Sequence, residues 1–233
     1  MTLASAYRIR ASEYLAVSSD TNGHQLEVFG MLRTGAAYSF LLAAASHHLF
    51  CFESSLIASV ANFWTSAGES LLTLARSSLW DLFGKWELPE SKHFSLAKYK
   101  CSNCSLLDRF EANFSHCHAV NNDFENISSK FLDCITSFSR EVWSFLIQDC
   151  NYLKLLNDPF NLNSLGKLSN ISDFVADSGY EAKKYANEER VTIFRLGFHC
   201  LLCGELLASI CYGRNSHRTR YIQSLLCYDY QEK

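Results

Sequence analysis

The chain has 233 residues, 48% of them hydrophobic and 14% aromatic, which is enough to bury a substantial single-domain core and argues against disorder. A formal charge of −3 gives no general attraction to nucleic acid, so any such contact would have to be local. Only two prolines occur, Pro89 and Pro159, which leaves room for long unbroken helices.

Leu3 to Val17 reads as a first helix, closed by the turn-rich SSDTNG of Ser18 to Gly23. It lacks a basic region followed by an apolar signal core, so a cytoplasmic location is expected. From His24 to Trp86 no proline intervenes. Leu56, Val60, Phe63, Ala67, Leu71 and Leu74 fall on one helical stripe, with Ile57, Trp64 and Ala75 beside it. Gly35 marks one candidate break, and Ser66 with Glu69, spaced as a capping box, marks another.

Pro89 ends this run, and Glu90 to Asn122 shows weaker periodicity. This stretch, residues 90–122, reads as a loop-rich, Cys/His-rich insertion within one helical domain spanning residues 1–233. Phe131, Ile135, Phe138 and Val142 then belong to a strong helix that starts near Asn122 and runs to about Tyr152. Asn157 to Ser172 is a polar connector. A helix from about Tyr180 continues into the apolar VTIFRLGFHCLLCGELLASICY, Gly213 to Ser216 breaks it, and a last helix follows. The fold class is all-α: an irregular multi-helix bundle of about six to eight helices. Leu56, Val60, Phe63, Phe131, Ile135, Phe138, Phe194, Phe198, Leu202 and Leu206 are its expected core. No segment reaches the roughly 18 charge-free apolar residues that a bilayer span requires, so no membrane span is expected.

Ten cysteines in a reducing compartment point to free thiols or metal ligands rather than disulfides. The segment KCSNCSLLDRFEANFSHCH, Lys100 to His118, concentrates them. Cys101 and Cys104 have the C-x2-C spacing that lets two thiolates from one turn share zinc. The second pair of ligands is expected from His116, Cys117 and His118. Cys200 and Cys203 repeat the spacing inside an apolar helix, where cysteine acts as a small hydrophobe. Arg195 and His199 lie one turn apart on that same helix, and a charge on an apolar helix needs a partner. Arg214, His217, Arg218 and Arg220 form the densest basic patch, a candidate phosphate grip for nucleic acid.

Arg109 and His116, spaced R-x6-H, resemble the active-site motif of the HEPN helical domains, many of them ribonucleases of defence and toxin systems; Phe110 stands where that family has a polar residue. The resemblance implies metal-independent RNA cleavage, with His116 as acid–base and Arg109 stabilising charge on phosphate; Arg195 and His199, too closely spaced for that motif, are a second candidate pair for the same roles. The main expectation is different: an intracellular helical binding or regulatory protein, a subunit of a complex that contacts protein or nucleic acid, with zinc as its one candidate cofactor.

Overall fold

A computed structural model describes residues 6–7, 9–10, 13, 22–83, 101, 104, 106–114, 124–161 and 186–227. Six helices occupy most of them: α1 (Asn22–Phe50), α2 (Ile57–Arg76), α3 (Leu106–Phe114), α4 (Phe124–Leu146), α5 (Ala186–Tyr212) and α6 (His217–Leu226). Short 3-10 turns, Ser54–Leu56 and Ser78–Phe83, follow α1 and α2. No strand occurs among the described residues, and the fold is an all-α bundle. Of the expected first helix, residues 6, 7, 9, 10 and 13 are described, and they are helical.

The bundle is built around the pair α2 and α5, which share its most extensive contact. They run antiparallel: a Cβ at Gly68 would stand 2.7 Å from Leu201, and one at Gly204 would stand 2.6 Å from Thr65 Oγ1. At the far end, Arg190 Nε donates to the Ala75 carbonyl (2.7 Å). Small residues let the two backbones approach this closely, so Gly204 serves packing and does not loosen α5. Around this pair, α1 lies along α2, while α4, α3 and α6 lie along α5.

Trp64, Trp80 and Trp143 are fully buried, and each indole N–H has an acceptor: His47 Nδ1 (3.0 Å), the Leu74 carbonyl (2.7 Å) and the Leu156 carbonyl. Satisfied in this way, their large apolar area is buried without leaving a donor unpaired. Arg33 on α1 pairs with Asp149, donates to Gln148 Oε1 (2.6 Å) and lies 4.9 Å from the Phe145 ring centre, which ties α1 to the turn after α4.

Several expectations need correction. Neither Gly35 nor the Ser66–Glu69 pattern breaks a helix; α1 and α2 are continuous across them. A capping box works only where the serine precedes the first turn, and Ser66 stands in the middle of one. The 90–122 stretch is not simply loop, because it contains α3, whose Leu106, Leu107 and Phe110 are buried. Of the expected core, Leu56, Phe63, Phe138 and Leu206 are only partly buried; the other six are buried. The spans Gly23–Phe50 and Glu188–Tyr212 are, by length and composition, apolar enough to cross a bilayer, yet 72% and 78% of their most apolar windows are buried within the bundle.

Candidate metal centre

Two segments converge beside the middle of α5. Cys101 and Cys104 lie just ahead of α3, and the buried face of that helix presses the segment onto α5. Cys134 comes from α4, on the same side as the buried Phe131 and Ile135. The sulfurs of Cys101, Cys104 and Cys134 all lie within 4.8 Å of one another, with Cys101 and Cys134 3.5 Å apart. Two thiolates on one tetrahedral zinc, each at ~2.3 Å, stand about 3.8 Å apart, so the spacing suits a shared ion.

The fourth side is formed by α5. His199, 2% exposed, touches the thiols of Cys101 and Cys104. Its Nδ1 lies 2.8 Å from the Arg195 carbonyl, and the Phe138 ring packs against it at 5.1 Å. Burial alone would lower this imidazole's proton affinity, but the contacts with Cys101, Cys104 and the Arg195 carbonyl outweigh it and push the pKa up to about 9. Cys203 follows one turn later, near Cys104, and burial pushes its thiol well above the usual range. Burial does the same to Cys134, reinforced by Cys101 and Cys104. Without a cation, ionising any of these thiols is costly.

Of the metal ligands expected from sequence, Cys101 and Cys104 stand together here, while His116, Cys117 and His118 lie outside the described residues. Sequence reasoning missed Cys134, a single cysteine on an apolar helical face that no spacing rule picks out. His199 was conspicuous in the sequence, but as a residue that, with Arg195, needs a partner on an apolar helix.

Arg195 and His199 do not share one environment. Arg195 is exposed, whereas His199 is buried. Both lie on a strip of α5 that also carries the exposed Glu188 and half-buried Thr192. The strip is open at Arg195 and is covered at His199 by the segment bearing Cys101 and Cys104. Arg109 is half-buried on α3, and its motif partner His116 lies outside the described residues. Arg214, His217, Arg218 and Arg220 are exposed around the turn into α6. Gly213 (φ 86°) ends α5, and Ser216 caps α6 by accepting from the Thr219 N–H at 3.1 Å. The basic patch thus sits more than three helical turns beyond His199.

Fold and site together define an all-α bundle with a buried thiol–imidazole cluster. Comparison with known proteins adds a relative. The chain is 34% identical over 217 residues, 93% of its length, to "Protein SET DOMAIN GROUP 41" from Arabidopsis thaliana. It spans about a third (32%) of that protein's length. No family model matches the chain. No solved structure matches it.

Proposed function

We propose that the chain is an intracellular, cytoplasmic helical segment with a binding or regulatory role, held in shape by a structural zinc ion at the thiol cluster. The observation that carries the reading is the gathering of three thiols, from two separate segments, within 4.8 Å of one another. A divalent ion converts such thiols into thiolate ligands and makes its binding energy part of the folding energy. Sulfur donors favour zinc over magnesium or calcium, and a cluster with Cys104 and Cys134 buried suits a closed structural ion rather than an open catalytic one.

The likeness to part of a longer protein whose name records a SET domain supports work within a larger assembly, with a protein as the expected partner. Nucleic acid, if contacted, would meet the exposed turn of Arg214, His217, Arg218 and Arg220. The ribonuclease alternative has no support from Arg195 and His199, because the ring is buried away from the exposed guanidinium.

The test is elemental analysis of protein purified without chelator, beside an RNA-cleavage assay. Stoichiometric zinc, lost when Cys101→Ser and Cys104→Ser are combined, is the expected result. Chelator-resistant RNA cleavage, abolished in His199→Ala at an unchanged melting temperature, would overturn the reading.

A further inference from the structure

We infer that His199 is the fourth ligand of this zinc site, its Nε2 completing a Cys3His set with Cys101, Cys104 and Cys134. The inference rests on the zinc reading above and adds a ligand that local spacing cannot supply.

The first argument is the direction of the ring. Nδ1 is engaged by the Arg195 carbonyl at 2.8 Å, and since a carbonyl only accepts, Nδ1 carries the proton. Nε2 is the nitrogen not engaged by that bond, and it is the one available to the side bearing Cys101 and Cys104. A histidine whose second nitrogen donates to a backbone carbonyl is the usual arrangement in metal sites, because that bond sets tautomer and orientation together. The Phe138 ring, 5.1 Å away, limits the ring's rotation.

The second argument is reach. Among the described residues the competing ligand is Cys203, one turn further along α5, near Cys104. The ring of His199 lies beside two of the three clustered thiols, though outside the set of atoms that all stand within 4.8 Å of one another; of those three thiols, Cys203 lies near Cys104.

The third argument is charge. Three thiolates and a neutral imidazole around a divalent ion leave one net negative charge, whereas four thiolates leave two. In a site where Cys104, Cys134 and His199 are 6%, 4% and 2% exposed, the smaller charge costs less to bury. On binding, each thiol releases its proton to solvent as its sulfur bonds the ion, and the imidazole releases its Nε2 proton, donates that lone pair and keeps Nδ1–H on the Arg195 carbonyl. The ion would thereby join the segment ahead of α3 to α4 and α5.

The experiment titrates Co2+ into the reduced full chain and records charge-transfer and ligand-field absorption. Zn2+ affinity is measured by competition, and sulfur and nitrogen donors are counted by X-ray absorption. The expected wild-type result is one tetrahedral ion with three sulfurs and one nitrogen. Cys203→Ser should leave the spectrum unchanged. His199→Ala should shift the ligand-field bands and weaken zinc by more than ~10-fold, the loss that even an outer-shell partner brings. Should His199→Ala fail to fold, His199→Cys retains four donors, and its spectrum should move to a four-sulfur pattern. A four-sulfur wild-type spectrum that changes in Cys203→Ser would overturn His199 while sparing the zinc reading. So would a His199→Ala protein whose spectrum and affinity match wild type. Absence of any Co2+ or Zn2+ binding would overturn both.

Discussion

Two buried histidines, each 2% exposed, occupy opposite kinds of environment in this bundle. His47, near the end of α1, sits among the rings of Phe50, Trp64 and Phe131, with centres 5.8–6.3 Å away. Its Nδ1 accepts the Trp64 indole N–H, and burial lowers its pKa to about 4. His199 faces thiols, with the proton of Nδ1 directed at a carbonyl. Helix α4 borders both, with Phe131 against His47, and Cys134 and Phe138 in the cluster of His199. Equal burial thus gives one imidazole locked neutral inside an aromatic box and another turned toward potential ligands. What separates them is the hydrogen bond at Nδ1: a donor fixes the lone pair there, and an acceptor keeps the proton there and leaves Nε2 as the nitrogen that can bind an ion once it gives up its own proton.

The largest expected effect is on the thiol side. Chelation, or Cys101→Ser combined with Cys104→Ser, should remove about 4 kcal/mol or more, because a structural zinc contributes up to ~10–16 kcal/mol in small domains and the remaining core retains part of the fold here. For a chain of this size that is a fall of about 8–16 °C in melting temperature, read by calorimetry. A change under about 2 °C would mean that no ion holds this region. His47→Phe should leave the chelator response intact, since that box takes no part in the site.

The next effect is the acid limb attributable to His47. Its folded pKa is depressed from 6.5 to about 4, so between these values the unfolded chain binds a proton that the folded chain refuses. Stability is therefore full above about 6.5, falls as the pH drops, and levels off below about 4, a loss on the order of 3 kcal/mol. Urea unfolding of the chelated protein from pH 7 to 4 isolates this limb from metal release. A His47→Phe profile as steep as wild type would place the proton uptake elsewhere.

Smaller again is Trp64→Phe, which keeps an aromatic ring but removes the donor to Nδ1. It should cost roughly 1–3 kcal/mol at pH 7 for the lost hydrogen bond and the gap left behind. It should also move the acid limb upward, because a protonated Nδ1 would no longer oppose an indole N–H. Denaturant midpoints at pH 7 and 5 measure both, and a cost that is identical at the two pH values would break the link between Trp64 and His47.

Legibility in the sequence divided along the same line. Helical periodicity reaches only a few residues along the chain, and it sufficed for the apolar faces of α2 and α4, where Val60, Phe131 and Ile135 are buried as their spacing implied. It could not place helix ends near Gly35 or Ser66, because tertiary packing carries a helix through residues that would end an isolated one. At the site, Cys101 and Cys104 were visible because C-x2-C is itself local. Cys134, and the place of His199 beside the thiols, were not, since these residues arrive from other helices and neither carries a metal-ligand spacing signature. Charge misled for the same reason: among the described residues the buried arginines are Arg33 and Arg190, each given a partner by a distant segment, while Arg195 faces solvent.

The smallest expected effect is the one that separates side chain from backbone at the His199 site. Arg195 contributes its carbonyl to Nδ1 of His199, and its guanidinium lies in solvent. Arg195→Ala keeps the carbonyl and improves helix propensity slightly, so stability should stay within about 0.5 kcal/mol of wild type. Zinc content should also be unchanged. Arg195→Pro is the informative contrast: the ring cannot be accommodated within α5, where it removes a helical N–H and crowds the preceding turn, at a cost of ~3 kcal/mol or more. It should also displace the backbone that orients the imidazole. Melting curves and zinc content of the two variants, measured side by side, decide the matter. If Arg195→Ala alone lowered zinc content, the guanidinium would have a role at the site that its exposure does not reveal, and the backbone account of His199 would fail.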